Sequence, residues 1–219
     1  QLKRRKGSLF REFPVLVRVA LVVSLFIKSF LVQFFYIPSG SMENTLQIQD
    51  RVAVNRVPFT TRNISRGDVV VFRDPAKWLP ENVDYASNQY IAKLKVGLVA
   101  VGVLPNPAKQ YLVKRAIGVA GDHIVCCTKD GKLTVNGTPI TEPYIFSSNV
   151  PSDMNFDVRV PKGKIWVMGD HRGASADSRY HQDDINKGMV PLSRVTGRVF
   201  AVIWPLKNFT YNPQIDIVK

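Results

Sequence analysis

One serine in a short polar segment, Ser41, is the residue that the sequence offers most clearly as a nucleophile. A serine hydroxyl attacks a carbonyl only when a neighbouring base takes its proton. Histidine is the usual base, and the candidates are His123, His171 and His181, of which His171 lies in a polar loop that contains glycine. Lysine is the alternative where burial lowers its pKa, and Lys114 has mostly apolar neighbours along the chain. The residue types therefore predict nucleophilic acyl transfer and leave the base open.

The segments that carry these residues are predicted to be β-strands. Apolar and polar residues alternate in 51–57, and short apolar runs follow at 69–73, 111–120, 164–168 and 194–203. Two hairpin signals, Asp130-Gly131 and Asn136-Gly137, fall within 123–163, which we expect to form a small β cap. No helical period separates the strands, so the predicted fold is mainly β, an antiparallel folded barrel or sandwich. Residues 74–110 break the pattern and are predicted to be an insertion.

The N-terminal part of the chain predicts a membrane anchor. Residues 1–12 are basic, and residues 13–36 form an apolar run that is long enough to span a bilayer as a helix. Arg18, Lys28 and Gln33 interrupt this run, so a helix lying in the membrane interface remains the alternative. Residues 37–50 contain no Lys or Arg, which by the positive-inside rule predicts a cytoplasmic N-terminus and a domain 37–219 outside the cytoplasm.

The composition narrows the classes of partner and cofactor. The net charge is +13, and without a recognisable nucleic-acid module we expect the basic residues to face a lipid bilayer rather than a nucleic acid. The two cysteines are adjacent, at Cys126 and Cys127, which gives neither a disulfide framework nor a zinc spacing. They are either two small strand residues or, outside the cytosol, a vicinal disulfide. We predict no metal and no cofactor.

Four short motifs occur in order behind the predicted anchor. They lie at 39–42 with 45–46, at 66–70, at 111–115 with 121–122, and at 169–179. In sequence and order they resemble the motifs of type I signal peptidases, the bacterial leader peptidases that are Ser–Lys dyad serine proteases. The resemblance covers the chain from the anchor to about residue 200, apart from the insertion. It implies a membrane-anchored serine endopeptidase that removes N-terminal signal peptides from exported preproteins, after a small-x-small motif and through an acyl-enzyme.

The resemblance also implies a role for each matching residue. Ser41 would be the nucleophile and Lys114 the general base, and the backbone N–H of Ser41 with the hydroxyl of Ser39 would hold the oxyanion. Ser175 would hydrogen-bond and orient Lys114. A supporting ion pair is implied between Asp177 and Arg179. Apolar pockets for substrate residues −1 and −3 would be lined by Phe35, Ile37, Met42, Leu46, Leu112 and Val113.

The family resemblance further implies the surroundings of the enzyme. Its partners would be signal peptides and the lipid bilayer, and its location would be the bacterial plasma membrane, with a single membrane pass. Two positions depart from the family's pattern. Asn44 stands where Pro is frequent, which we expect to cost only turn rigidity, and His171 stands where Asn is frequent, which keeps a histidine base as an alternative.

Two other functions compete with this interpretation. A self-cleaving Ser–Lys protease of the repressor type would share such a core, but it would carry a DNA-binding segment where this chain has its apolar run. An inactive anchored β-domain that binds peptides or an anionic wall polymer would use the basic surface instead. Trapping of Ser41 by an acylating inhibitor separates that binding function from the enzymatic one.

Overall fold

The computed structural model describes residues 9–30, 32–56, 64–79, 110–215 and 217. Helix α1 covers Leu9–Phe30, and its side chains are described from Phe13 to Val23. All of these side chains are exposed, and apart from Arg18 they are apolar or small. Within the described ranges, no helix is long and apolar enough to cross a lipid bilayer.

The apolar run that was predicted to be a single anchor changes conformation before its end. Strand β1, Val32–Tyr36, pairs antiparallel with strand β2, Arg51–Asn55. Its Gln33 and Phe35 side chains are buried, whereas Tyr36 is exposed, so burial alternates as in a half-buried strand. The prediction that the anchor extends to Tyr36 is therefore wrong for these last residues, because their backbone hydrogen bonds go to β2.

The larger sheet has eight strands, and all its pairings are antiparallel. Its other members are β3 (Val69–Arg73), β4 (Tyr111–Gly118), β9 (Lys164–Met168), β10 (Val190–Pro191), β11 (Val195–Trp204) and β12 (Thr210–Tyr211). Their order is β1-β2-β11-β3-β4-β9-β10, with β12 paired to β11. The prediction of a mainly antiparallel β fold is thus confirmed. Closure into a barrel stays a prediction, since the order does not return from β10 to β1 within the described residues.

A smaller sheet lies within the segment 123–163. It has the strand order β7-β6-β5-β8, formed by Thr138–Pro139, Thr134–Val135, His123–Cys126 and Phe156–Arg159. The turn between β6 and β7 is Asn136-Gly137, and both residues have positive φ, 53° and 80°. Two positive φ values are what the tightest hairpin turn requires, which explains why this dipeptide marks the turn in the sequence. Cys126 and Cys127, at the end of β5, form a disulfide.

Three hydrophobic clusters of described residues hold the sheets together. One cluster packs residues of the 32–46 segment against β2, β3 and β11. A second lies on the opposite face of β3 and β4 and includes Phe72 and Trp78. A third joins the smaller sheet to β4 and β9 through Ile117 and Trp166. The predicted insertion 74–110 lies outside the described residues except for 74–79 and 110.

Candidate active site

Ser41 lies in a one-turn 3-10 helix, Gly40–Met42, that follows β1. The turn is fastened by its apolar neighbours: Met42 and Leu46 are buried in the same cluster as Phe35. The backbone N–H of Leu46 donates to the carbonyl of Met42 at 2.8 Å. Ser41 itself is buried, with 9% of its surface exposed. The alternation of apolar and polar residues in this segment thus anchors the turn and leaves its serine at the edge of the sheet.

Lys114 reaches Ser41 from the middle of β4. Its Nζ lies 2.6 Å from the Oγ of Ser41, and only 4% of the residue is exposed. Burial lowers the pKa of Lys114 to about 8, against the opposing effect of the carboxylates of Asp177 and Asp170; the charge of Arg179 lowers it further. An amine with this pKa is partly neutral near neutral pH and can accept the proton of a hydroxyl in contact with it.

Each of the three histidines has a hydrogen-bond partner other than Ser41. The ring of His123 contacts Asp157 at 2.6 Å, and the ring of His181 contacts the backbone carbonyl of Asp177 at 2.8 Å. The Nδ1 of His171 lies 2.9 Å from the carboxylate of Glu43. His171 nevertheless adjoins the nucleophile turn, since its backbone N–H donates to the carbonyl of Ser41 at 3.1 Å.

The next residue of β4, Arg115, has different hydrogen-bond partners. The guanidinium of Arg115 binds Asp170 with two hydrogen bonds, of 2.9 and 2.6 Å, and both side chains are fully buried. It also donates to the carbonyl of Gly67 at 2.7 Å and to the hydroxyl of Thr45 at 2.9 Å. The alternation of strand side chains separates the two basic groups, so that only Lys114 meets the serine.

The loop that follows β9 supplies the other side of the site. Asp177 and Arg179 form a fully buried ion pair at 2.9 Å. The hydroxyl of Ser175 donates to Asp177 at 2.8 Å, while the Nζ of Lys114 contacts Ser41. A hydroxyl that donates one hydrogen bond can still accept another, so a contact of Ser175 with Lys114 stays a prediction.

Close packing holds this loop against the nucleophile turn at Gly169. A Cβ at that position would overlap the side chain of Ser175 and would lie about 2.5 Å from the carbonyl oxygen of Ser41. Only glycine lets the two backbones approach this closely. The backbone N–H of Gly169 donates to Asp177 at 2.9 Å, so the carboxylate that accepts from Ser175 also fixes Gly169.

The remaining predicted residues fall into two groups. Phe35, Ile37, Met42 and Leu46 share one buried cluster, and the partly buried Val113 packs against it. Leu112 is separated from them, because it packs in the cluster on the opposite face of β4. Ser39 is exposed and directly precedes the turn, and its side chain makes no capping hydrogen bond.

Asn44 has a role that the sequence did not suggest. Its φ is +86°, a value closed to proline, whose ring fixes φ near −65°. Its side-chain amide donates to the carbonyl oxygens of Tyr144 and Ile145, at 3.2 and 3.4 Å. The expectation that Asn in place of Pro costs only turn rigidity is therefore wrong for this chain, since the asparagine ties the turn to the segment 144–145.

Several buried partners of the site were missed from the sequence. Asp170 lies in the last of the four motifs, and nothing in the sequence connected it to Arg115. Tyr144 lies 4.1 Å under the guanidinium of Arg115, and Arg172 is paired with Glu142 beside it. Only the three-dimensional contacts identify these groups. Within the described ranges, no group of three or more His, Cys, Asp or Glu side chains could hold a metal ion.

Comparisons with known proteins agree with the motifs. A family model described as signal peptidase, peptidase S26, matches residues 10–204. A probable signal peptidase I of Mycobacterium leprae (strain TN) is 35% identical over 92% of this chain and 78% of its own length. A signal peptidase I of Mycobacterium tuberculosis (strain CDC 1551) is 36% identical over 95% of this chain and 79% of its own length.

A crystal structure of a signal peptidase I from Enterococcus faecalis V583 is also similar, at 22% identity. The match covers 62% of this chain and 96% of that protein, with a TM-score of 0.39, and no conclusion about this chain depends on it. The family match over most of the sequence and the two mycobacterial relatives are sufficient. The chain belongs to the signal peptidases of peptidase family S26 and is therefore a serine endopeptidase.

Proposed function

We propose that this enzyme removes N-terminal signal peptides from exported preproteins, with Ser41 as nucleophile and Lys114 as general base. The observation that carries the proposal is the 2.6 Å contact between Lys114 Nζ and Ser41 Oγ, made by an amine whose pKa burial lowers to about 8. Geometry and proton affinity are both suited to taking the serine proton. The histidine alternative is weaker, because within the described residues the hydrogen bonds of the three rings go to groups other than Ser41, whereas Lys114 contacts its hydroxyl directly.

The reaction proceeds in two balanced steps. Neutral Lys114 takes the hydroxyl proton while Ser41 Oγ attacks the carbonyl carbon of the scissile peptide bond. The tetrahedral oxyanion is held by the backbone N–H of Ser41 and the hydroxyl of Ser39. Its collapse breaks the C–N bond, and Lys114 returns the proton to the leaving amine. Water then attacks the resulting ester with Lys114 again as base, which releases the signal peptide and restores Ser41.

The loop 169–179 supports the dyad from behind. Asp177 accepts from Ser175, from the N–H of Gly169 and from Arg179, so its charge is neutralised and its position is fixed. Since the hydroxyl proton of Ser175 is used on Asp177, the remaining lone pairs of Ser175 are free to accept from the ammonium of Lys114 after proton transfer. Ser175 would then orient Lys114 in its charged state.

The edge of β4 supports binding of an extended substrate. Within the described residues, Tyr111–Lys114 pair with β3 only, because the register with β9 begins at Arg115. A peptide that adds to such an edge gains backbone hydrogen bonds, and pockets beneath alternate side chains select its sequence. The apolar cluster of Phe35, Ile37, Met42 and Leu46, with Val113, is suited to small apolar side chains at −1 and −3. Leu112 does not share that cluster and keeps only a backbone role in this proposal.

Membrane anchoring is also part of the proposal. The described side chains of α1 are exposed and mostly apolar, and α1 leads into β1, whose last residue precedes Ser41 by five positions. Exposed apolar surface on a helix indicates contact with lipid or protein. With a cytoplasmic N-terminus and an extracytoplasmic catalytic domain at the bacterial plasma membrane, the site would meet substrates tethered in the same bilayer.

The test is cleavage of a preprotein by the detergent-solubilised enzyme, with the cut mapped by mass spectrometry. We expect one cut after a small residue with another small residue at −3. Replacing an alanine at −1 by leucine should reduce kcat/KM by more than about tenfold, because overpacking a formed pocket costs about 1–3 kcal/mol. A preferred cut after Lys, Asp or Trp would contradict the proposal.

A further inference from the structure

A second set of contacts holds the nucleophile turn and takes no part in the proton transfers described above. His171 touches the turn twice: its backbone N–H donates to the carbonyl of Ser41 at 3.1 Å, and its ring Nδ1 lies 2.9 Å from the Oε2 of Glu43. A carboxylate can only accept, so the Nδ1 of His171 carries the proton of that hydrogen bond. One face of the imidazole ring stacks on Phe146, with ring centroids 4.2 Å apart and an angle of 17° between the ring planes.

Glu43 also leans back over the start of the turn. A Cβ at Gly40 would lie 2.8 Å from the Cδ of Glu43, so the carboxylate packs directly against the residue before Ser41. The backbone N–H of Glu43 donates to the carbonyl of Gly40 at 3.0 Å. Glu43 and His171 thus contact the turn on both sides of the nucleophile.

The pair is anchored to the rest of the protein. The backbone N–H of Phe146 donates to the carbonyl of Asp170, the residue before His171, at 3.0 Å. The ring of His171 therefore lies between two fixed elements, the segment that contains Phe146 and the turn that contains Ser41. Asn44, through its amide bonds to Tyr144 and Ile145, ties the next part of the chain to the same segment.

Such a pair contributes little to stability and can still matter for catalysis. The side chains of His171 and Glu43 are 21% and 27% exposed, and partly exposed pairs of this kind add little to the free energy of folding. A three-residue turn has few hydrogen bonds of its own, however, and a displacement of about 1 Å of a reacting group can cost about a hundredfold in rate. The effect of the pair should therefore appear in kcat rather than in unfolding.

We propose that Glu43 and His171 form a positioning pair, backed by Phe146, that keeps the hydroxyl of Ser41 in contact with the amine of Lys114. This inference rests on the proposed function, because peptide cleavage is its readout. Neither side chain donates or accepts a proton in the reaction. An asparagine at position 171 could also donate to Glu43 through its side-chain amide.

The test compares variants of the full chain in detergent with one preprotein substrate. His171→Ala and Glu43→Ala should each lower kcat by about tenfold, because a loosened turn leaves the nucleophile in contact with its base less often. KM and the unfolding temperature should stay close to those of the wild type. His171→Asn should recover most of the lost kcat, and the double variant should be no slower than the slower single variant, because both substitutions disable one device.

The chain provides a matched control in its smaller sheet. His123 and Asp157 form another histidine–carboxylate pair, 2.6 Å apart and partly exposed, on β5 and β8. His123→Ala and Asp157→Ala remove the same chemistry without touching the nucleophile turn. Both variants should keep the wild-type kcat.

Several results would overturn the inference. The effects of the two single variants could multiply in the double variant, the loss could appear in KM alone, or the His123 and Asp157 controls could lose as much kcat. If His171→Ala fails to fold, the kcat of Glu43→Ala decides whether the inference stands. If the wild-type enzyme cleaves the preprotein and the His171 and Glu43 variants cleave it equally well, only this inference is overturned. If the wild-type enzyme cleaves no preprotein, the proposed function is contradicted.

Discussion

Strand β4 places two buried basic side chains next to each other and gives them opposite surroundings. Lys114 is 4% exposed and Arg115 is fully buried. The amine of Lys114 meets a neutral hydroxyl, and burial lowers its pKa to about 8. The guanidinium of Arg115 donates hydrogen bonds to the carboxylate of Asp170, the carbonyl of Gly67 and the hydroxyl of Thr45.

The difference shows what makes a buried cation reactive. Burial disfavours a charged side chain, but a carboxylate in direct contact compensates Arg115, whereas among the described residues none is in direct contact with Lys114. Arginine also remains protonated at any working pH, so it cannot become a base even where it lacks a partner. One face of the strand is therefore suited to catalysis and the other to holding the loop 169–179 in place.

The largest expected effect on the rate of cleavage comes from removing the base. Lys114→Met and Lys114→Arg should both reduce kcat by roughly 10⁴-fold or more, as loss of a member of a catalytic unit does. Methionine has no basic nitrogen, and arginine holds its proton. Steady-state cleavage of a preprotein measures the effect, and circular dichroism checks that both variants fold. Near-wild-type cleavage by folded Lys114→Met would show that another residue is the base.

On the other face, removing the counter-charge should affect stability first. Asp170→Asn leaves the guanidinium of Arg115 buried without its carboxylate, and breaking such a pair costs about 3–5 kcal/mol. Urea unfolding should show this loss in the free energy of unfolding. Arg115→Lys should cost less but still destabilise, because one ammonium cannot replace a fork that reaches Asp170, Thr45 and Gly67.

A matched control for these variants is Asp157→Asn, which removes an exposed carboxylate from the ion pair with His123. Exposed pairs contribute about 0–1 kcal/mol, so its free energy of unfolding should stay near that of the wild type. If Asp170→Asn is as mild as Asp157→Asn, the Arg115 face does not have the structural role given to it here.

The sequence predicted the strands and the dyad better than it predicted the support around them. Alternation located β2, and short apolar runs located β3, β4, β9 and β11, to within a few residues, because each strand is buried on at least one face. The extent of the anchor was wrong, since an apolar run such as Val32–Tyr36 has the same composition in a helix as in a covered strand. Only the pairing with β2 distinguishes them.

The site itself shows the same limit. The order of the motifs was enough to pair Ser41 with Lys114, because the resemblance assigns a role to each matching position of this sequence. It could not identify the partner of Ser175, the separation of Leu112 from the other pocket residues, or the tether made by Asn44. These depend on which side chains meet across long sequence separations, and no local pattern records that.

The smallest effect is expected at the two cysteines of the smaller sheet. The structure confirms the vicinal disulfide that the sequence left as one of two alternatives for Cys126 and Cys127. Replacing both by serine should leave kcat and KM unchanged, because the cysteines lie at the end of β5 in the smaller sheet, whereas Lys114 lies in the larger sheet. Intact-mass analysis should find no alkylated thiol without reductant and two after reduction. Alkylation of both thiols without reductant would show that the disulfide is absent.

The central claim, that buried Lys114 is the base for Ser41, is tested most directly by the pH dependence of kcat/KM. This quantity reports ionisations of the free enzyme. Because the lowered pKa lies at about 8, the rate should rise about tenfold per pH unit below it and level off above it. The same limb should persist in His171→Asn. A limb between about pH 6 and 7 that disappears in His171→Asn would contradict the account, since that is the range in which an ordinary histidine titrates.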